Sequence, residues 1–419
     1  MSITATSYTV EKLEVGDYDL KLGVSQIKYY ESILSPAISF EVTIVDSDGV
    51  LSGNRGGSGL FGGELCKIKI NGPTGPLDFS KVNLYLRKIT SGLSDSTTSI
   101  FVLTITTETA LINETSRCCQ RYDGRISDIV NKIAGETFLN KKDSRFFVET
   151  TGNNYSFLGN ARKPFHTLTW LARRSIPETG GGKSNSEGSA GFFFYEDRDG
   201  HKFVSVDSLI SKVNQEKSFV QEYFQSEFSD TNTLNQFNIL SYTIDSNYDL
   251  LENLRTGMFS NINYYWDAFH HTTKCYQYNL KDNYSDKMKT LVKSASPYKI
   301  PEGLDENPSR IMFSVLDNGT LQTDGKVPDN TYPQDQTKYQ AQAIVRYNLI
   351  FSQTVSITIP SNVTLKVGDV IKCNFLQANG GKDKSRSGNY LIADISHQFG
   401  SGSAYSGLRL IRDSYGDLN

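Results

Sequence analysis

Short runs in which apolar and polar residues alternate, each closed by turn-forming residues, recur at both ends of this chain. A period of two puts successive side chains on opposite faces of an extended backbone, so such runs suit half-buried strands and not helices. Phe40, Val42 and Ile44 alternate with polar partners ahead of the turn Asp46-Ser-Asp-Gly49. Val82, Leu84 and Leu86 repeat the pattern, followed by Ile100, Val102 and the run to Ile105. Glu64-Leu-Cys-Lys-Ile-Lys-Ile70 ends at Asn71-Gly72, a hairpin dipeptide. Residues 1 to about 112 therefore predict one small β-barrel or sandwich. Towards the other end, Val355, Ile357 and Ile359 alternate, Val367-Gly-Asp-Val-Ile371 carries a tight turn, and Asn389 to Ala393 and Tyr405 to Ile411 supply further strands. A second barrel is expected there. The 23 Tyr, 23 Phe and 34 Gly agree, since aromatic residues suit pleated surfaces and glycine suits tight turns.

Between these ends the period changes. After Asp123-Gly124, the residues Ile126, Ile129, Val130, Ile133 and Ala134 fall at the spacing of one helical stripe. A second helix is predicted from Pro164, a residue suited to a first turn, with Phe165, Leu168, Leu171, Ala172 and Ile176 along one side. Thr179 to Gly191 reads as a low-complexity loop. Gly191-Phe-Phe-Phe-Tyr195 and His201 to Val206 then flank Asp197-Arg-Asp-Gly200 as a hairpin. Residues 113 to about 208 thus predict a small α/β unit. From 209 to 330 the pattern is mixed, with aromatic patches such as Asn263-Tyr-Tyr-Trp266, and its elements cannot be ordered from sequence.

Charge narrows the function classes. Forty-three Lys and Arg stand against 46 Asp and Glu, a formal charge of −3, which excludes a strongly basic nucleic-acid binder. No apolar run approaches the roughly 18 residues of a membrane span, so no membrane insertion is expected, and the opening residues predict no signal peptide. The five cysteines, Cys66, Cys118, Cys119, Cys275 and Cys373, do not form a disulfide framework; reduced, mostly buried thiols are expected, with Cys118-Cys119 at a strand-to-helix junction.

Strings that resemble chemical motifs lack the context the chemistry needs. Gly57-Ser-Gly59-Leu-Phe-Gly62 spells a dinucleotide fingerprint, but a strand follows where a helix N-terminus should hold the pyrophosphate. Gly182-Lys183-Ser184 resembles the end of a phosphate loop, yet Pro177 stands where its first glycine belongs. Asp46 to Gly49 and Asp197 to Gly200 lack the spaced oxygen ligands and closing Glu of a calcium loop. The histidines, His166, His201, His270, His271 and His397, include no pair at the helical i, i+4 spacing of a zinc site, and His270-His271 would point to opposite faces of a strand. Carboxylate pairs such as Glu64 with Asp78, or Asp245 with Asp249, fit glycoside hydrolysis in type but arise by chance among so many acids. No catalytic, cofactor-binding or metal residue is assigned, and no enzyme activity is expected.

Three ordered segments carry a resemblance. Ser116 to Val130 pairs an aromatic-Gly turn with an Ile-Val helix entry. Asn154 to Arg174 contains Arg162-Lys-Pro-Phe165 and Leu171-Ala-Arg-Arg174, leading to Phe194-Tyr-Glu-Asp-Arg-Asp-Gly200. The last comprises Leu365 to Ile371, Ser387 to Ile392, His397-Gln-Phe399 and Leu408 to Ser414. In this order they resemble the central hub proteins of contractile phage tail baseplates and the N-terminal hub region of type VI secretion spikes. The resemblance implies a mainly β chain with a smaller α/β part. It also implies two related tube-type barrels, 1–112 and 209–245 with 331–419, an α/β domain at 113–208, and an insertion at 246–330. It implies a homotrimeric pseudo-sixfold ring that joins a sixfold tail tube to a threefold central spike and leaves a channel for DNA in transit. The implied partners are the spike protein and a tube protein or tube initiator, with baseplate wedge and tape measure proteins beyond them. The implied location is the virion, assembled in the host cytoplasm. Two rival readings are a carbohydrate-binding tail adhesin, working through Tyr264-Tyr265-Trp266, and a tail-associated cell-wall hydrolase.

Overall fold

The computed structural model describes residues 6–47, 49, 51, 59–94, 98–138, 145–178, 189–211, 219–225, 236–245, 249–267, 271–282, 288, 290–291, 303–304, 307–316 and 335–413. The first part of the chain supplies β1 (Thr9–Val15), β2 (Tyr18–Asp19), β3 (Val24–Ser32), β4 (Ser39–Asp46), β5 (Leu65–Gly72), β6 (Gly75–Asp78), β7 (Leu84–Ser94) and β8 (Ser99–Thr107). They pair antiparallel in the order β3-β4-β8-β7-β5-β1-β2, with β6 on β5. The alternation does what a period of two requires: Phe40, Val42, Ile44, Leu84 and Leu86 are all buried in one cluster. In β8 the buried phase belongs to Leu103 and Ile105, one residue out of step with Val102. The hairpin expected at Asn71-Gly72 turns two residues later, since Gly72 pairs with Gly75 and both glycines belong to the ladder.

The middle part follows as α1 (Glu108–Thr115), β9 (Arg121–Arg125), α2 (Ile126–Thr137), β10 (Phe146–Val148), β11 (Asn154–Leu158), α3 (Pro164–Ala172), β12 (Phe192–Asp197), β13 (Gly200–Ser205) and α4 (Val206–Ser211). Both predicted stripes face one cluster, in which Ile129, Val130 and Ile133 of α2 meet Phe165, Leu168 and Leu171 of α3 against Phe194 and Phe203. Ile176 is buried but lies past the end of α3. The β12–β13 hairpin turns at Arg198-Asp199 as expected, with Gly200 at φ +123° against the carbonyl of Arg145. The loop expected at 179–191 lies mostly outside the described residues.

The remaining elements are β14 (Glu222–Gln225), β15 (Asn238–Ile239), β16 (Ser241–Asp245), α5 (Leu250–Arg255), β17 (Ser260–Asp267), β18 (Thr272–Asn279), β19 (Arg310–Leu316), α6 (Asp335–Ile350), β20 (Gln353–Pro360), β21 (Val370–Asn374), β22 (Gly388–Gly400) and β23 (Ser403–Arg412). β16-β20-β23-β22-β21-β14-β15 form a second run of paired strands, over a cluster that includes Val355, Ile357, Ile359 and Leu410. β17, β18 and β19 make a separate three-stranded sheet, packed on α6 through Met258, Tyr278, Val345 and Leu349. Helix α6 was not legible as a helix, because Ala341, Gln342, Ala343, Val345, Arg346, Leu349 and Ile350 bury it on several sides and leave no clean polar stripe. The chain is mainly β with a smaller α/β part.

Candidate functional site

The two strand systems meet along β3 and β22. These strands pair antiparallel from Gln26 with Gly400 to Ser32 with Asp394, so both systems belong to one 15-stranded sheet. The β22–β23 hairpin reaches further, since Phe399 of β22 and Ala404 of β23 are buried in the cluster of the first system. The N–H of Ala404 donates to the carbonyl of Thr6 at 2.8 Å, tying the β22–β23 turn to the start of the chain.

Polar side chains lock this seam to the α/β part. Glu31, buried on β3, accepts the Tyr29 hydroxyl at 2.6 Å, the Arg198 N–H at 3.0 Å and the Val367 N–H at 3.2 Å. Glu196, buried on β12, accepts the Ile38 N–H at 3.1 Å and the Thr107 hydroxyl at 2.9 Å. The Arg198 guanidinium donates to the carbonyls of Val363 and Thr364, and Lys366 pairs with Asp199. The hairpin predicted at Asp197 to Gly200 is therefore a plug that joins both strand systems. Burial, reinforced by the nearby Asp197 charge, pushes the Glu31 carboxyl up to about 7 against its donors. Burial pushes Glu196 up to about 8. His397, stacked on Tyr29 and hydrogen-bonded to Ser406 at 2.7 Å, is held down to about 3 by burial, with the Arg198 charge adding to it.

The outer face of the seam is a trough of about 530 Å³ across β3, β22, β23, β20 and β16. Ser32, Ser39, Thr243, Ser356, Thr358 and Ser396 give it a hydroxyl lining, and Asp394 with Arg409 at 3.3 Å supplies an ion pair. These are the outward members of strands whose other face is core, which is why the sequence showed them only as polar spacers.

Several residues that sequence could have grouped as sites serve local turns and caps instead. Glu64 accepts the N–H groups of Phe61 and Gly62, while Asp78 caps its own turn at the Ser80 N–H. Asp249 caps α5 through the Glu252 N–H, and the side chain of Asp245 lies outside the described residues. His166 is exposed on α3, His201 is buried 3.8 Å from Glu196 among Phe138, Phe165 and Phe194, and His271 sits at the β17–β18 turn. His270 and the Gly182-Lys183-Ser184 string lie outside the described residues. No group of three or more His, Cys, Asp or Glu suited to a metal occurs among the described residues. Cys66, Cys118 and Cys373 are buried as expected, but Cys119 and Cys275 are exposed. Cys118-Cys119 connects α1 to β9, a helix-to-strand junction and not the reverse.

The aromatic patch of β17 divides between faces as strand geometry demands. Tyr265 is buried and donates to Gln340 at 2.7 Å, so it is no part of an exposed platform. Trp266 is exposed, and Tyr264 stacks on the exposed Phe313 of β19 at 5.1 Å, with Ile311 and Val315 beside it. The apolar outer face of this sheet was missed because β19 could not be placed from sequence.

No protein-family model matches the chain, and no curated protein sequence matches it significantly. Solved structures do. A tail protein from Neisseria meningitidis MC58 aligns over 97% of this chain and 97% of its own, at 14% identity and a TM-score of 0.56. The 43 kDa tail protein of prophage MuSo2 from Shewanella oneidensis aligns over 98% and 100%, at 10% identity and a TM-score of 0.56. The chain shares the fold of these two structures. The likeness runs the length of the chain, so both strand systems and the elements between them belong to it.

Proposed function

We propose that the chain is a structural hub of a phage tail baseplate, a virion component assembled in the host cytoplasm. The observation that supports this best is the pairing of β3 with β22, which puts two strand systems side by side in one sheet. Two such systems per chain are what a threefold assembly needs to present six similar positions to a sixfold tube. In this reading residues 1–112 form one tube barrel, 209–245 with 331–419 form the other, 113–208 are the α/β domain and 246–330 an insertion. Three copies close a pseudo-sixfold ring between tail tube and central spike, with wedge and tape measure proteins as further neighbours. The ring surrounds a passage for DNA, and a chain of near-balanced charge suits a conduit that need not grip what passes.

Native mass spectrometry tests the reading. A species near three times 46.8 kDa, alone or with a cognate spike protein, is expected. A protein that stays monomeric in both conditions overturns it.

The exposed rings of Trp266 and Phe313, with the half-buried Tyr264 stacked on Phe313, favour a second reading, a carbohydrate-binding adhesin. Glycan binding by the isolated chain that is lost in Trp266→Ala would support it over the hub. Hydrolysis of cell wall has no comparable support, and zymography on peptidoglycan is expected to show no clearing.

A further inference from the structure

A second cavity, of about 460 Å³, lies where α3, β12, α6 and β19 converge. Its size is that of an ordinary ligand-binding cleft. The lining is largely apolar: Ala172, Phe193, Ala343, Ile344 and Phe351 face it, and Leu34, more than half exposed, stands at its edge. Two arginines share that lining, Arg173 just past the end of α3 and Arg310 on β19, and no Asp or Glu does among the described residues. Arg173 has no ion-pair partner among the described residues, and Arg310 there donates only to the Thr256 carbonyl at 3.2 Å. Gln340 and Asn348, also in the lining, are already engaged, Gln340 accepting from the Tyr265 hydroxyl at 2.7 Å and Asn348 donating to the Thr256 carbonyl at 3.0 Å, so they stiffen the groove wall. An apolar cleft with two cations that have no carboxylate partner among the described residues is complementary to a ligand that is both apolar and anionic. Nucleic acid fits poorly, because two basic groups over an aliphatic floor cannot follow a phosphate backbone.

We propose that this groove docks an acidic segment of a partner protein, which seats one or two large apolar side chains in the cleft and sets carboxylates against Arg173 and Arg310. The proposal does not rest on the hub reading and holds for a monomer as well as for a ring. The position of the groove, shared by the α/β part and the sheet carried on α6, means that an occupant would bridge the two.

A random twelve-residue peptide display library, selected on the full chain and counter-selected on Thr169→Trp, tests this. Thr169 is an exposed lining position on α3, so the indole fills the groove without entering the core. The expected winners combine Asp or Glu with Leu, Phe or Trp. Synthesised, they should bind at least tenfold more weakly to Thr169→Trp and to the double variant Arg173→Glu/Arg310→Gln, with unchanged circular dichroism in both. Winners that ignore the tryptophan block, winners of basic or neutral composition, or no enrichment at all would each overturn the proposal.

Discussion

The backbone N–H of Val367 donates to the carboxylate of Glu31 at 3.2 Å, across 336 residues of sequence. The same carboxylate receives the Tyr29 hydroxyl and the Arg198 N–H, so one side chain ties β3, the β12–β13 turn and the segment before β21. Glu31→Ala would leave three donors without an acceptor in a buried place. A loss of about 3 kcal/mol in urea-induced unfolding is expected, on the scale of unsatisfied buried polar groups. A loss under about 1 kcal/mol would mean that water replaces the carboxylate and that the clamp is dispensable.

The stability of the chain should peak between acid and mildly alkaline pH, with a different group behind each limb. Glu31 and Glu196 have folded-state values of about 7 and about 8, above the ordinary carboxylate value of 4.5. Their contribution is therefore complete below 4.5 and is lost as pH rises through 7 to 8. His397 is lowered to about 3 from 6.5, so the neutral ring contributes fully above 6.5, and that contribution drains away as pH falls towards 3. Melting temperatures measured across pH 5 to 9 should fall on the alkaline side in the native chain and flatten in Glu31→Gln/Glu196→Gln. An alkaline slope unchanged in the double variant would show that other groups set it.

Arg346 is wholly buried on α6, 3.1 Å from Asp207 of α4 and 3.7 Å from Asp413 beyond β23. Removing one partner of such a set strands a charge in a low-dielectric interior. Arg346→Ala is expected to cost about 3–5 kcal/mol. Arg346→Ala/Asp207→Ala should recover part of that loss, and denaturant midpoints of the two variants provide the comparison.

Gly200→Ala places a methyl group 2.0 Å from the Arg145 carbonyl oxygen, at a φ of +123° that side chains rarely adopt. Neither the clash nor the strain can relax without moving the β12–β13 turn. Expression in soluble form should drop sharply, and any protein recovered should melt several degrees lower. Gly135→Ala serves as the control, because a Cβ there meets nothing within 4 Å and the helix gains from it.

Legibility followed how each element is buried. Strands with one face in a core announced themselves, as Phe40, Val42 and Ile44 did, because solvent on the other face forces polar residues into the gaps. Helices α2 and α3 were visible for the same reason at their own period. Helix α6 is clasped on several sides and shows no stripe, and β19 exposes Ile311, Phe313 and Val315, which inverts the signal a strand normally gives. The seam was hidden for a different cause. Glu31 reads as one polar residue among 46 acids, and only the pairing of β3 with β22 reveals that it lies inside. The Arg173 and Arg310 groove was equally invisible, since its lining comes from five separate stretches of chain.

The β3–β22 ladder also has a mechanical consequence. Its hydrogen bonds lie across the strands and extend over seven residue pairs. A pull directed along the strands loads all of them together in shear, whereas a pull at right angles would open them one at a time like a zip. The two strand systems should therefore resist sliding past one another far better than peeling apart, and a chain stretched along this direction should yield first somewhere else.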